Sequence, residues 1–213
     1  MTTPTHWPTE YARVISCQVC TRHSDASLLR DDEENVPQPG YVGVNYLSRR
    51  VLLVGQNPAT PKSLAERDKT YTAALRALRD EPTDGRLKDL EQELVRFIPK
   101  WPVHGTYFPL KPAGLALSDI AYFNLVRCRT VSDKRPASST VRHCTSAHWG
   151  RWLDLLQPRV VVFIGKWAAG HGAAELEARR IPHAFMNRQR SLSSADRAAN
   201  VQEVIHLVRA TEV

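Results

Sequence analysis

Three groups of residues in this chain have types and spacing that suit chemistry. The first lies in the stretch from Ser118 to Cys144, where Ile120 to Val126 is apolar and aromatic except for Asn124. Such a run suits a strand buried on both faces, and an amide inside it must find hydrogen-bond partners or bear a desolvation cost. The second group is the four cysteines. Cys17 and Cys20 form a CxxC near the N-terminus, Cys128 follows the apolar run between Arg127 and Arg129, and Cys144 lies sixteen positions further on. The third is Gln56-Asn57-Pro58, set just after Val51-Leu52-Leu53-Val54-Gly55, where Gly and Pro favour a turn at the C-terminal end of a strand. Loops at that end are where open α/β sheets hold ligands.

The elements that must position these groups read as strands alternating with helices. Arg49 to Gly55, Ile120 to Val126, Arg159 to Ile164 and Ile181 to Met186 are strand-like. Ser63 to Arg79, Gly85 to Phe97, His148 to Leu156, Lys166 to Arg179 and Ser194 to Arg209 carry helical spacing, the last capped by Ser193 or Ser194. The pattern predicts an α/β fold, a single-domain three-layer sandwich over residues 1–213 with a central, mostly parallel four-stranded sheet flanked by helices. Residues 1–48 read as a loop-rich N-terminal segment with one short helix, and 62–110 as a helical insertion.

Composition narrows the classes further. The chain has 213 residues, 42% hydrophobic and 24% charged, enough for a sizeable core. No apolar run approaches the roughly 20 residues that span a bilayer, and the N-terminus lacks the charged-then-apolar pattern of a secretory signal. A cytoplasmic location without membrane contact is therefore expected, and there a CxxC and two further cysteines point to a metal or redox centre rather than disulfides. The formal charge of +7 is local: from Arg127 to Arg197 there are 13 Lys and Arg against 5 Asp and Glu, a balance of +8 that leaves −1 for the rest. A patch of that sign suits a partner rich in phosphates, although a solvated basic face would look the same.

The order of these motifs carries a resemblance. CxxC, then a strand ending in GQNPA, then FNLVRCR, a cysteine sixteen residues later, a helix and PRVVVFIGKWAA together resemble the uracil-DNA glycosylase superfamily, specifically its iron-sulfur-cluster branch, over roughly Cys17 to Arg190. The resemblance implies that Cys17, Cys20, Cys128 and Cys144 hold a 4Fe-4S cluster, with a structural zinc ion as the alternative for the same four thiolates. It also implies hydrolysis of the bond between a flipped-out base and deoxyribose in DNA containing uracil or a related deaminated base. Asn124 would read the base, since its amide offers one acceptor and two donors to match the N–H and C=O groups of uracil.

Gln56 and Asn57 resemble the superfamily's water-activating loop, in the version with Asn where other members have a carboxylate. An Asn can position water but not take its proton, so catalysis would rest mainly on electrostatics. Phe108 or Tyr107, with Tyr71 behind them, would stack on the base, though each could equally be core. The second catalytic motif departs from the family pattern: His183 falls within a strand, as catalytic candidate or core residue, and Met186-Asn187 stands where the loop should begin. Asn187, Arg188, Gln189, Arg190 and Lys166 are the candidates for DNA contact, against the reading of a solvated surface. A monomer is expected. A catalytically weak or inactive iron-sulfur relative that binds DNA or nucleotides is the alternative, and a zinc-stabilised nucleic-acid-binding module is a third.

Overall fold

The apolar runs of the sequence become strands in the computed structural model, which describes residues 7–22, 25–30, 34–59, 66–97, 108–188 and 192–211. In chain order the elements are α1 (Trp7–Ile15), β1 (Leu28–Leu29), β2 (Tyr41–Val42), the one-turn helix α2 (Tyr46–Arg49), β3 (Val51–Gly55), α3 (Glu66–Asp80), α4 (Asp84–Phe97), β4 (Ile120–Asn124), β5 (Arg129–Thr130), α5 (Ser138–Cys144), α6 (Gly150–Leu156), β6 (Val160–Ile164), α7 (Lys166–Ala178), β7 (His183–Met186) and α8 (Ser194–Ala210). A π-helical stretch, Thr145–Trp149, lies between α5 and α6. The residues group into two compact units that alternate along the chain. One comprises Met1–Pro39, Asn57–Phe97 and Val126–Cys144, the other Gly40–Gln56, Ile98–Leu125 and Thr145–Val213.

The second unit contains the main sheet, in the order β2-β4-β3-β6-β7. β4, β3, β6 and β7 run parallel, and β2 adds a fifth, antiparallel strand at the edge. The sequence predicts four strands. The extra one is two residues long, too short to show alternation, and is held by pairing Tyr41 with Tyr122 and Val42 with Ala121. All five residues of β3 and of β6 are buried, as expected of strands covered on both faces. Phe123, Val54, Phe163 and Phe185 stand in one row across the sheet. On that face Trp152 packs 4.7 Å from Phe123, and Trp149 sits 6.3 Å from Phe163 while its Nε1 donates to the Gly172 carbonyl at 3.1 Å. α7 and α8 both pack along β6 and β7.

Two boundaries differ from the sequence reading. Arg49 ends α2 instead of opening β3, and Arg50 adopts a left-handed φ of 54° whose N–H closes the turn on the Tyr46 carbonyl at 2.6 Å. β4 ends at Asn124, and Leu125 continues beyond it with its N–H donating to the Gly55 carbonyl at 3.0 Å. α8 begins as expected, with the Ser193 hydroxyl accepting from the Asp196 N–H at 3.1 Å.

The first unit is helical, with a small two-stranded sheet. α1 places Trp7, Tyr11, Val14 and Ile15 on one buried stripe and packs on α3, which pairs with α4 through Leu75, Leu78, Leu87, Leu90 and Leu94. β1 and β5 are antiparallel, with Leu28 opposite Thr130 and Leu29 opposite Arg129. Within α4, burial pushes the Glu91 carboxyl up to about 7 from an ordinary 4.5. Folding thus favours its protonated form, so its contribution to stability is greatest below pH 4.5 and declines as pH rises to about 7. Glu91→Gln is expected to raise the melting temperature at pH 8 and leave it unchanged at pH 4, as followed by circular dichroism.

Candidate active site

In the second unit, the C-terminal edge of the parallel strands gathers Gly55, Gln56, Tyr122 and Asn124. Gly55 pairs with Asn124 across β3 and β4. Alternation along β4 puts Tyr122 and Asn124 on one face, opposite to Phe123. On that face the Tyr122 hydroxyl donates to Asn124 Oδ1 at 3.1 Å. Gly55 is required here by close approach: a Cβ at this position would stand 2.3 Å from Asn124 Oδ1 and 2.5 Å from the Tyr122 hydroxyl. The sequence reading treats Gly55 as a turn residue, but its main role is to leave room for this pair. Asn124 is half-buried at the strand end, and Gln56, also half-buried, is the next residue after Gly55.

The remaining candidates of this unit fall at different places. Phe108 is buried, with 1% of its surface exposed. Tyr107, Gln189 and Arg190 lie outside the described residues. His183 opens β7 opposite Val161, three residues before Met186, hence about 10 Å back along the strand from the edge that carries Asn124. Its ring lies edge-on to Phe163 at 6.1 Å, and Nδ1 faces the Ile181 carbonyl at 3.1 Å. The register therefore gives His183 the surroundings of a packing residue and does not bring it to Asn124 or Gln56. Met186 is buried at the C-terminal end of β7. The chain leaving it is clamped by Asn200 of α8, whose Oδ1 accepts from the Asn187 N–H at 2.7 Å and whose Nδ2 donates to the Phe185 carbonyl at 3.1 Å. Arg188 is exposed, and its Cδ comes within 3.8 Å of where a Cβ at Gly165 would stand. Gly165, at φ 104°, precedes the exposed Lys166 at the start of α7.

In the first unit, Asn57 is half-buried, and its Nδ2 donates to Thr130 Oγ1 at 3.1 Å and to the Pro58 carbonyl at 3.3 Å. Thr130, fully buried on β5, donates onward to the Lys134 carbonyl at 2.6 Å. With its nitrogen turned to these acceptors, the amide directs its Oδ1 to the other side. Nothing about an isolated Thr in RTVSDK signals this role.

The same unit contains all four cysteines. Cys20, Cys128 and Cys144 are buried and Cys17 is half-buried. They are electrostatic neighbours: the Cys20 thiol is influenced by Cys128 and Cys17, and Cys144 by Cys128 and Cys20. Burial pushes Cys20 up to about 11 and Cys144 up to about 12, and it also raises Cys128, against the lowering effect of Arg30. Arg30 ties the set together, with Nη1 donating to Cys128 Sγ at 3.4 Å and Nη2 to the Cys17 carbonyl at 2.6 Å. The Arg127 N–H donates to Cys144 Sγ at 3.3 Å. As the side chains stand, no group of three or more His, Cys, Asp or Glu among the described residues is placed to hold a metal ion. The donor set, four neighbouring thiols with two N–H donors to sulfur, nevertheless has the composition of a soft-metal site.

Cys144 ends α5, a helix that the sequence reading does not include. Asp25 accounts for it: its carboxylate accepts from the Ala137 N–H at 3.1 Å and from the Thr140 hydroxyl, capping the helix from a distant segment, and from the Ser27 N–H at 2.9 Å. Burial works to raise this carboxyl, but the hydrogen bonds from Ser27, Thr140 and Ala137 outweigh it and hold Asp25 below its ordinary range.

The basic stretch needs a correction. Arg127 is 2% exposed and donates from Nη1 to the Pro39 carbonyl at 2.9 Å, and burial lowers its guanidinium to about 10. Arg129 forms a bidentate, buried pair with Asp68 of α3, at 2.6 and 3.1 Å. Tyr71, a reserve stacking candidate, is buried close enough to that pair for both charges to act on its phenol. Arg179 is paired with Asp154 and Glu175. The exposed cations that remain include Lys134, Arg135 and Arg142 in this unit and Lys166 and Arg188 in the other.

Residues 43–206 match the family model described as the uracil DNA glycosylase superfamily. The chain belongs to that superfamily. No curated protein matches the chain. Membership agrees with the α/β fold and its mostly parallel, helix-flanked sheet, and it places the chain among the DNA glycosylases, hydrolases that act on DNA in repair. In this glycosylase, no helix among the described residues is long and apolar enough to cross a membrane. The buried Asp68–Arg129 pair fixes the strand after Cys128 to α3. Asp68→Ala strands a buried guanidinium and is expected to cost about 3–5 kcal/mol in urea denaturation, more than the double replacement Asp68→Leu, Arg129→Met.

Proposed function

We propose that this chain excises uracil from DNA by hydrolysing the N-glycosidic bond and leaving an abasic site. The observation that carries the reading is the Asn124 amide, held by the Tyr122 hydroxyl over Gly55 at the C-terminal edge of the sheet, in a chain of this superfamily. Uracil presents N3–H and O4 on its Watson–Crick edge. An amide with Oδ1 accepting from N3–H and Nδ2 donating to O4 reads both at once, once the nucleotide has left the stack. Gln56, beside Gly55, is suited to offer its backbone N–H to a base carbonyl.

In this reading the C1′–N1 bond breaks heterolytically. The bonding pair leaves with uracil as an anion, stabilised by donors to its carbonyls, and the sugar becomes oxocarbenium-like. Water then adds its oxygen to C1′ and its proton passes to the departing base or to solvent. Asn57 would hold that water, a role assigned to it from its motif; its nitrogen is turned to Thr130 and Pro58. Because an amide takes no proton, the chemistry depends on the stability of the leaving group. A pyrimidine anion is a good leaving group, and an undamaged purine a poor one. Lys166, Arg188 and Asn187 would contact the phosphate backbone, with Gln189 and Arg190 assigned the same role from the sequence.

Cys17, Cys20, Cys128 and Cys144 would hold a 4Fe-4S cluster, whose contribution when bound is a cross-link among the segments that carry them rather than bond cleavage. The four neighbouring thiols support this, together with Arg30 and the Arg127 N–H directed at two of the sulfurs. Anaerobically purified protein is expected to be brown, with broad blue absorbance and equal amounts of iron and sulfide. Colourless protein carrying zinc would favour the alternative ligand for the same thiols.

The activity is tested by incubating the purified protein with an oligonucleotide containing one uracil and treating it with alkali to cut at abasic sites. Scission is expected from the parent, and Asn124→Ala, Asn57→Ala and Thr130→Val are each expected to slow it by on the order of 100-fold. Salt-sensitive DNA binding without scission at uracil or other deaminated bases would overturn the hydrolase reading and favour a binding relative.

A further inference from the structure

We propose that the N-terminal edge of the parallel sheet, opposite to the edge that carries Asn124, docks an acidic peptide segment of another protein that also bears apolar side chains. The proposal does not depend on the chemistry proposed above. Cations gather at this edge from separate parts of the chain. Arg50 precedes β3 and Arg159 precedes β6, and the Arg159 N–H donates to the Arg50 carbonyl at 2.9 Å, so the two arginines are neighbours across the sheet. The short turn Lys111–Ala113, which leads towards β4, adds Lys111. Arg49 Nη2 donates to the Gly114 carbonyl at 3.0 Å and Arg209 Nη2, from the end of α8, to the Pro112 carbonyl at 2.6 Å, so both flank that turn. Lys111, Arg159 and Arg209 are exposed and Arg50 is half-buried. Among the described residues none of these four forms an ion pair. Asp119, the carboxylate just before β4, accepts instead from the Ala116 N–H at 2.7 Å and from the Asn45 amide at 3.3 Å.

Two observations separate this edge from an ordinary solvated face. The first is apolar exposure. The segment between β2 and β3 crosses the edge, with the Gly43 N–H on the Ile120 carbonyl at 2.9 Å and the Asn45 N–H on the Ser118 carbonyl at 2.8 Å, and it leaves Val44 83% and Leu47 36% exposed beside the cations. The second is Arg50 itself. It closes α2 in the left-handed region, a position that favours glycine, and its Nε is buried without a hydrogen-bond partner. Glycine there would remove both costs, and a partner for the guanidinium accounts for an arginine held against them. The chemistry of that partner follows from the surface: carboxylates match the cations, and an apolar side chain between them covers Val44 and Leu47. Single-stranded nucleic acid is bound by aromatic faces set beside cations, whereas the side chains exposed here are aliphatic. A duplex at the Asn124 edge faces away from this one, because Arg50 lies five residues before Gly55, about 17 Å along β3.

The test measures binding of fluorescein-labelled synthetic peptides to the full chain by anisotropy, with a uracil-free DNA duplex alongside. One peptide alternates aspartate with leucine, a second aspartate with serine, and a third lysine with leucine. The aspartate–leucine peptide is expected to bind most tightly, with an affinity that falls as salt is raised. Arg50→Glu with Arg159→Glu is expected to weaken it by about tenfold or more, and Val44→Ser with Leu47→Ser by about threefold. Should charge reversal disturb folding, Arg50→Gly relieves the left-handed backbone and is expected to raise the melting temperature while weakening peptide binding. A merely structural arginine does not move those two readouts in opposite directions. Absence of aspartate–leucine binding up to about 1 mM peptide, or equal binding by the parent and Arg50→Gly, would overturn the proposal. Loss of duplex binding in the arginine variants as large as the loss of peptide binding would also overturn it, and would assign this edge to nucleic acid.

Discussion

The parallel pairing of β3 with β4 is the constraint on which the rest of the sheet unit depends. It sets Gly55 against Asn124 at the edge of a sheet whose central strands β3 and β6 are apolar throughout. A polar side chain at the end of such a strand is tolerable only with a partner and with space. The Tyr122 hydroxyl supplies the partner, and the missing side chain of Gly55 supplies the space. The other face of the same strands is filled by Phe123, Phe163 and two tryptophans. One face of β4 therefore anchors the sheet while the other carries the polar pair, an arrangement that follows from the two-residue period of a strand.

Each unit contains an asparagine whose amide is set by a hydroxyl, with opposite polarity. Asn124 accepts from Tyr122, and Asn57 donates to Thr130. The first arrangement turns the amide oxygen to a hydroxyl, and the second turns the amide nitrogen to one. Neither amide can exchange a proton, so in the proposed reaction both would act by direction alone. Direction is only as good as the groups behind it, and here these are a buried phenol on a strand and a fully buried threonine that has its own acceptor in the Lys134 carbonyl. Catalysis by oriented dipoles would suit the proposed reaction, because fixed dipoles need no rearrangement as charge develops.

What the sequence made legible follows from what a linear pattern can encode. The buried strands β3, β4 and β6 and the cap at Ser193 are local, and they appear where their patterns indicate. β2 is two residues long and exists only through its pairing, so it left no pattern. The helix carrying Cys144 is hidden because its cap, Asp25, lies 112 residues away from Ala137. His183 shows the limit of a motif: the residue type was right for catalysis, but strand register decides which end of the sheet it serves, and register is not written in the neighbouring residues. The candidate asparagines were identifiable from their motifs. The directions of their amides were not, because Tyr122 and Thr130 act through contacts that no spacing reveals.

Charge shows the same difference between type and place. The sequence concentrates a balance of +8 between Arg127 and Arg197, which suits phosphate binding. Folding buries two of these cations and pairs another at the surface. Arg127 binds the Pro39 carbonyl and approaches Cys144 through its N–H, Arg129 is locked to Asp68, and Arg179 is matched by Asp154 and Glu175. These cations hold the segments around Cys128 and the helices of the sheet unit. Each phosphate neutralised by a surface cation releases counterions and adds about 0.9 to the salt slope of duplex binding, whereas a buried, paired guanidinium adds nothing. The cations open to a phosphate partner are therefore the exposed ones, which include Lys134, Arg135 and Arg142 in one unit and Lys166 and Arg188 in the other, and Arg127 and Arg129 are not among them.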